Sequence, residues 1–391
     1  MRKTLFLLTT LLSGSLASYQ EAEAQNAGEF EFRVIPRFEV NPYIPAGKDA
    51  KGSCDLGSTS LYTQLEGSIG EHFYYYLSNH WLSTDLKSLY VIEEDGGDKA
   101  NLFRSDCTCW LDMGYVGFTF GSWDISLGKD MVVVGTFEED AMDVESHANL
   151  NTYFWNAAQV YQWGAKVAWT TPSESSQFFL QLTSSPFSTR PFGHSWYEGN
   201  GGHLKTFTGG WYGSIGNWET VWSANMMEYS TGNFLGMLGL GNRLSAGDFT
   251  FTLDFLARST SLNELFNREM SLSGSVRYEL SPRAEVFVKG GYERARGHDF
   301  FAWEGDEFVP TVLAGGDSDY VFGGAGIHYY PIKGDKSLRI HAVAAANNFS
   351  RDLVSVSVGV MYDFDLTGFI ARGREARKES RAIDARNFKA I

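Results

Sequence analysis

The chain contains 391 residues, of which 43% are hydrophobic and 15% are aromatic, and its formal net charge is -15 at pH 7. This acidic balance argues against nucleic acid or polyanionic ligands as partners, because like charges repel. After the N-terminal region the sequence has no apolar run of the roughly 20 residues that a membrane-spanning helix needs.

The N-terminus has the pattern of a secretory signal peptide. Arg2 and Lys3 precede an apolar run from Leu5 to Leu12, and small residues follow this run. Cleavage after Ala24 is the favoured site, and cleavage after Ala17 is the alternative. The pattern predicts that residues 1–24 are removed and that the mature chain leaves the cytoplasm.

Between Phe30 and Leu366 sixteen stretches alternate apolar and polar residues. Because side chains on a strand point to opposite faces with period two, each stretch predicts a strand with one apolar and one polar face. Short connections of a few residues, such as those at Gly121 and Gly216, alternate along the chain with connections that are mostly long, such as 83–108 and 130–155. Short turns on one rim and long loops on the other are typical of outer-membrane barrels. We therefore predict an all-β fold, a transmembrane antiparallel up-and-down β-barrel of about 16 strands, with 14 or 18 as the alternatives.

The three cysteines lie in or next to the first two long connections. In an oxidising compartment Cys54 would form a disulfide with Cys107 or with Cys109, and unpaired thiols are the alternative. The Cys-Thr-Cys spacing lacks the second pair that a zinc site requires, so we predict no metal and no cofactor. We also find no nucleophile elbow and no His-Glu-x-x-His motif, and we predict that the protein is not an enzyme.

The connection 130–155 is rich in carboxylates. If it folds into the lumen, these carboxylates form one wall of a constriction, and cations on lumen-facing strand positions form the other wall. Charged walls of this kind set ion selectivity through electrostatic barriers. The alternative is a solvated extracellular acidic loop. The predicted acidic wall is Glu138, Glu139, Asp140, Asp143 and Glu145, and the predicted basic wall is Arg258, Arg277, Lys289 and Arg339.

The stretch from Tyr115 to Lys129, with its end Leu127-Gly128-Lys129, and the acidic loop ending at 151–155 (NTYFW) resemble bacterial outer-membrane porins. They are most similar to the phosphate-selective-porin-like proteins of Bacteroidota-type bacteria. The resemblance implies a strand that runs into an inward-folded third loop. In the phosphate-selective members a ladder of Arg and Lys guides anions. This loop is acidic instead, so no anion-binding residue is carried over.

The last predicted strand ends near Phe364, and a basic tail follows. The division is thus a signal peptide at 1–24, a barrel at 25–366 and a periplasmic tail at 367–391 with seven Lys and Arg against three acidic residues. We expect an outer-membrane porin, a homotrimer in contact with outer-membrane lipid, that passes small hydrophilic solutes and weakly prefers cations. The alternative is an occluded barrel that acts as a receptor, an adhesin or a secretion-machinery partner. A periplasmic partner would bind through the tail.

Overall fold

The computed structural model describes residues 30–45, 53–55, 59–83, 111–139, 150, 152, 154, 160–185, 203–296, 303–304, 307–308, 318–348 and 352–367. Within these ranges sixteen long strands pair antiparallel, each with its neighbours in the chain. The first strand also pairs with the last, so the sheet closes into a barrel. The predicted fold class and strand number are confirmed.

The barrel strands are β1 (Phe30–Pro45), β2 (Ser60–Ile69), β3 (Phe73–Ser83), β4 (Leu111–Phe120), β5 (Trp123–Met131), β6 (Tyr161–Thr170), β7 (Ser176–Ser184), β8 (Lys205–Ile215), β9 (Trp218–Ser230), β10 (Asn233–Ala246), β11 (Phe249–Ser259), β12 (Glu269–Ser281), β13 (Ala284–Ala295), β14 (Ser318–Tyr329), β15 (Leu338–Asn347) and β16 (Asp352–Tyr362). Two short strands, Ser53–Asp55 and Phe364–Asp365, add to β1. Another two, Trp303–Glu304 and Glu307–Phe308, pair with each other. The predicted signal peptide lies outside the described residues, as does the predicted tail beyond Thr367.

The connections alternate around the barrel as the sequence predicts. Turns follow every even-numbered strand from β2 to β14, and these turns share a rim with the start of β1 and the end of β16. On the opposite rim most connections are long, and the two-residue turn 231–232 between β9 and β10 is a short one. No helix in the described part of the chain is long and apolar enough to cross a membrane.

Burial follows the strand parity. On β7 the side chain of Leu180 is 64% exposed on the outer face, whereas Gln177 and Gln181 on the inner face are nearly fully buried. The same alternation holds on β12, where Ser271 and Ser273 are buried. Because apolar side chains face outward and polar ones face the lumen, the barrel has the surface that a lipid environment requires.

An aromatic band lies on the outer face near the short-turn rim. The Trp169 and Phe178 rings stack with centroids 6.1 Å apart, and Phe178 stacks on Trp211 at 6.3 Å. Trp211 meets Trp218 and Trp222 edge to face. Aromatic rings prefer the membrane–water interface, so this band marks the level of one interface.

On the inner wall, aromatic rings lie across glycines of the neighbouring strand. Each ring and its glycine are direct cross-strand partners, and a Cβ on the glycine would come within 1.9–2.6 Å of the ring. An aromatic side chain of this kind covers the backbone that a glycine leaves bare. The pairs are Tyr74–Gly117, Phe179–Gly210, Phe287–Gly326 and Phe322–Gly291.

Gly117→Ala is therefore expected to destabilise the barrel. The new Cβ would lie 1.9 Å from Cζ of Tyr74, so the ring must move and its hydroxyl must leave Asp124, which accepts it at 2.8 Å. We expect a loss of about 1–3 kcal/mol in the free energy of unfolding, measured in urea on the detergent-folded protein. Gly323→Ala is the control, because its Cβ would meet only Lys289 O, at 3.7 Å. Equal losses in the two variants would contradict the ring displacement.

Candidate functional site

The segment that follows β5, residues 132–138, lies inside the barrel against the inner wall. Val132 to Val134 are buried. The Gln181 Oε1 atom on β7 accepts a hydrogen bond from Val133 N at 3.0 Å. The Asn225 Nδ2 atom on β9 donates to Val133 O at 3.2 Å. The chain thus turns inward at the end of β5 and crosses several strands of the wall.

Two inward-facing glycines of β10 form the floor on which this segment lies. A Cβ on Gly239 would come within 1.9 Å of Val134 O, and one on Gly241 would come within 2.9 Å of Thr136 Cα. The side of the segment is equally tight, because a Cβ on Gly135 would lie 2.7 Å from Ser223 N. Backbone approaches backbone here at a distance that only glycine permits.

Wall carboxylates hold the backbone of the segment. Phe137 N donates to Asp254 Oδ1 on β11 at 3.0 Å. On the returning part of the same connection, Phe154 N donates to Glu293 Oε1 on β13 at 3.1 Å. Both donors are backbone N–H groups inside the barrel, and a buried N–H group without an acceptor would cost free energy. Wall carboxyl groups therefore hold both the segment 132–138 and the returning part of the same connection.

Glu138 joins the two parts of the inserted connection to the wall. Its Oε1 atom lies 2.6 Å from Lys289 Nζ on β13, and the side chains of Glu138 and Lys289 are 2% and 9% exposed. Its Oε2 atom accepts a hydrogen bond from Thr152 Oγ1 at 2.7 Å. A buried ion pair tolerates the loss of one partner poorly, so Glu138 is a strong anchor.

Two arginines of the wall cover the aromatic rings of the inserted connection. The Arg243 guanidinium lies 4.1 Å from the centre of the Phe137 ring, and Arg258 lies 5.3 Å from that of Phe154. Arg258 also pairs with Glu269 on β12, with Nε and Oε2 2.6 Å apart. Both cations thus add attraction between the wall and the segment.

The inner wall beneath the inserted connection is apolar, unlike the polar lumen face that strand parity predicts. Leu256 and Phe287 turn inward and are buried. The reason is that the segment covers this part of the wall, so water does not wet it. The cluster is Val134, Leu150, Phe154, Val160, Leu204, Met227, Leu235, Met237, Leu256, Phe287, Tyr320, Phe322, Val343 and Ala345.

The predicted constriction residues fall into three groups. Glu138 and Lys289, predicted to face each other from opposite walls, bind each other directly. Arg258, Arg277 and Arg339 face the lumen from β11, β12 and β15. Glu139 ends the short 3₁₀ turn Phe137–Glu139, and the others, Asp140, Asp143 and Glu145, lie outside the described residues.

Arg339 belongs to a separate group at the seam where β1 meets β16. It is buried, and its Nη2 atom lies 3.5 Å from Met361 Sδ. Arg37 forms an ion pair with Glu39 on the same face of β1. Glu39 Oε2 lies 3.0 Å from His341 Nε2 on β15. Buried charges link three strands at the closure of the barrel.

Cys54 is exposed in the short strand Ser53–Asp55, and its two predicted partners, Cys107 and Cys109, lie outside the described residues. Among the residues that the structure describes, no group of three or more His, Cys, Asp or Glu side chains could hold a metal ion.

Sequence reasoning missed Asp254, Glu293 and the two glycines of the floor. The available signal was a break in alternation. Leu256 follows Phe255, and Phe287 stands between Val286 and Val288, so both faces are apolar at these points. Runs that are apolar on both faces indicate strands whose lumen face is covered by an inserted segment.

No protein-family model matches the chain, and no curated protein matches its sequence. Its fold is similar to that of solved outer-membrane proteins. The outer membrane channel DcaP of Acinetobacter baumannii aligns with 86% of this chain and 97% of its own, at a TM-score of 0.53 and 10% identity. The anion-selective porin from Comamonas acidovorans aligns with 85% and 98%, at 0.53 and 9%. OmpF of Salmonella typhi aligns with 86% and 97%, at 0.52 and 12%. The chain has the fold of a bacterial outer-membrane β-barrel.

Proposed function

We propose that the protein is an outer-membrane porin that lets small hydrophilic solutes diffuse passively through its lumen. The observation that carries the proposal is the segment 132–138, which is fixed inside a closed sixteen-stranded barrel. A barrel of this size leaves an aqueous channel unless something narrows it. The segment lies on β7 to β13, and on β1, across the lumen from it, the side chains of Glu31 and Arg33 are 34% and 29% exposed. This division supports a narrowed passage along β1 to β5.

The proposed selectivity is a weak preference for cations. Because Glu138 is neutralised by Lys289, the preference rests on Asp140, Asp143 and Glu145. The proposed assembly is a homotrimer. Chemical crosslinking of the detergent-purified protein measures the assembly, and a monomer band alone would contradict it.

Liposome swelling with a series of sugars, amino acids and phosphate tests the transport proposal. The expected result is swelling that slows as the solute becomes larger. Protein that is folded, as its resistance to SDS at room temperature shows, yet gives no swelling and no conductance in planar bilayers would contradict it. The second candidate function is an occluded barrel that binds a partner, and the apolar cluster inside the lumen favours it. Folded protein that gives no swelling and no conductance would support this second candidate.

Asp140→Asn, Asp143→Asn and Glu145→Gln together are expected to shift selectivity toward anions. The change in the cation-to-anion permeability ratio should be about two- to fivefold, the factor that ~0.5–1 kcal/mol of screened interaction produces. Reversal potentials in a salt gradient measure this ratio. The matched control neutralises three carboxylates in the short turns, Glu174, Asp248 and Asp335. An equal shift in the control would show that the net charge of the barrel, and not the inserted connection, sets the preference.

A further inference from the structure

The connection between β11 and β12 folds outward, over the lipid-facing wall. Its side chains Leu262 and Phe266 are 68% and 58% exposed. The Phe266 ring stacks on Phe255 of β11, with centroids 6.1 Å apart and planes at 22°. A Cβ on Gly236 of β10 would lie 3.2 Å from Leu262 Cδ2. Phe255 and Gly236 both face outward by strand parity, so this connection presents apolar side chains to the membrane.

An apolar row runs from this connection across four strands. Phe255, Leu272, Tyr292 and Val321 are successive cross-strand partners on the outer face of β11 to β14. The next outward row toward the long-loop rim contains Arg294, between Met270 and Asp319. A cation thus lies next to the apolar row, on its side toward the long-loop rim.

Three arginines converge above the apolar row. Arg268, next to β12, donates from Nη1 to Arg296 O at 3.4 Å and pairs with Glu264 at 2.8 Å. The Arg296 Nη2 atom lies 2.7 Å from Asp319 Oδ1. The Nε atom of Arg294 is buried and has no hydrogen-bond partner among the described residues. Three cations against two carboxylates leave an excess positive charge here.

We propose that this surface binds a phosphate-bearing lipid of the outer leaflet, with its phosphate on Arg294 and Arg296 and its acyl chains along the row from Phe266 to Val321. Guanidinium groups bind phosphate through paired hydrogen bonds and are more weakly hydrated than ammonium groups. A free anion would need no apolar row below the arginines. The exposed side chains of Leu262 and Phe266 on the outer face mark a surface that contacts lipid. The proposal depends on the barrel in a membrane and not on transport through it.

Native mass spectrometry of the full-length, delipidated barrel in a neutral detergent tests the site. The probe is diphosphoryl lipid A, and its dephosphorylated form and inorganic phosphate are the comparison ligands. For wild type we expect one tightly bound lipid A, weaker binding of the dephosphorylated form, and no displacement by inorganic phosphate. Arg294→Gln should weaken lipid A binding about fivefold, the factor that corresponds to ~1 kcal/mol per arginine near a charged membrane surface.

The matched control is Lys205→Gln, which removes an exposed cation at the same rim on β8. It should leave binding unchanged. Arg294→Lys should give an intermediate loss of lipid A affinity, because lysine keeps the charge but not the paired hydrogen bonds of the guanidinium group. Phe266→Ser should weaken the binding of both lipid A and its dephosphorylated form. Equal losses in Arg294→Gln and Lys205→Gln, unchanged binding in the double variant Arg294→Gln/Arg296→Gln, or displacement of the lipid by inorganic phosphate would each overturn the proposed site.

Discussion

Glu138→Gln is expected to release the inserted segment from the wall and to increase the conductance of the barrel. The substitution removes the carboxylate that lies 2.6 Å from the buried Lys289 ammonium, and removing one partner of a buried pair costs about 3–5 kcal/mol. Glu138 takes no part in strand pairing, so the barrel should stay closed. Residues 132–138 should leave the inner wall. Single-channel recordings should show a larger or a strongly fluctuating conductance.

Two variants make this expectation specific. The double variant Glu138→Gln/Lys289→Met removes both members of the pair and should return toward wild-type conductance, because replacing a whole buried pair costs much less than removing one partner. Glu269→Gln breaks a pair of similar burial whose two members both belong to the wall, and it leaves the Arg258 charge in place over the Phe154 ring. It should lower stability without raising conductance. Equal conductance changes in Glu138→Gln and Glu269→Gln would mean that general loosening, and not release of the segment, causes the effect.

The barrel could be predicted from the sequence because its determinants are local. Strand parity needs only successive side chains, as in Phe249, Phe251 and Leu253 against Thr250 and Thr252 on β11. The rim asymmetry needs only the spacing between strands. Both patterns can be recognised without knowing which strands pair. The register of neighbouring strands then follows from the short turns that join them.

The contacts inside the lumen could not be predicted because they are not local. Glu138 and Lys289 are 151 positions apart, and no spacing rule brings them together. The sequence placed them on opposite walls, since charges of opposite sign were expected to face each other across water. The structure instead brings them into one buried pair, because the segment crosses the lumen as far as β13.

The connection after Lys129 could be predicted from the sequence only in part. The sequence indicates that the connection after Lys129 folds inward, and residues 132–138 do lie inside the barrel. Residues 132–138 are mostly apolar, however: Val134 packs in the cluster of Leu256 and Phe287. Val133 and Phe137 pack in a second buried cluster with Phe179 and Tyr212. A segment with this composition stays on an apolar wall, so the selectivity that we propose depends on the carboxylates that follow Glu139 in the sequence.

The glycine floor provides the second large expected effect. Gly239→Val should displace residues 132–138 from the wall, because the new Cβ would lie 1.9 Å from Val134 O and backbone cannot yield as a side chain can. The segment would lose its hydrogen bonds to Gln181 and Asn225 together with its packing, so the larger of the usual overpacking costs, about 3 kcal/mol, applies. Swelling rates should rise for solutes near the size limit of the wild-type channel, and limited proteolysis should cut the inserted connection faster.

Gly274→Val is the matched control for this substitution. Gly274 faces outward on β12, where the nearest neighbour of a new Cβ would be Thr252 O at 3.5 Å. A larger side chain there makes ordinary van der Waals contacts on the outer face and fits the β-propensity of the strand, so swelling and proteolysis should stay at wild-type levels. If Gly239→Val behaves like Gly274→Val, the segment does not depend on the floor, and its path across the lumen is held by its hydrogen bonds and by the pair of Glu138 and Lys289. If both variants increase swelling, the barrel wall itself has loosened, and the close backbone approach at Gly239 does not control the passage.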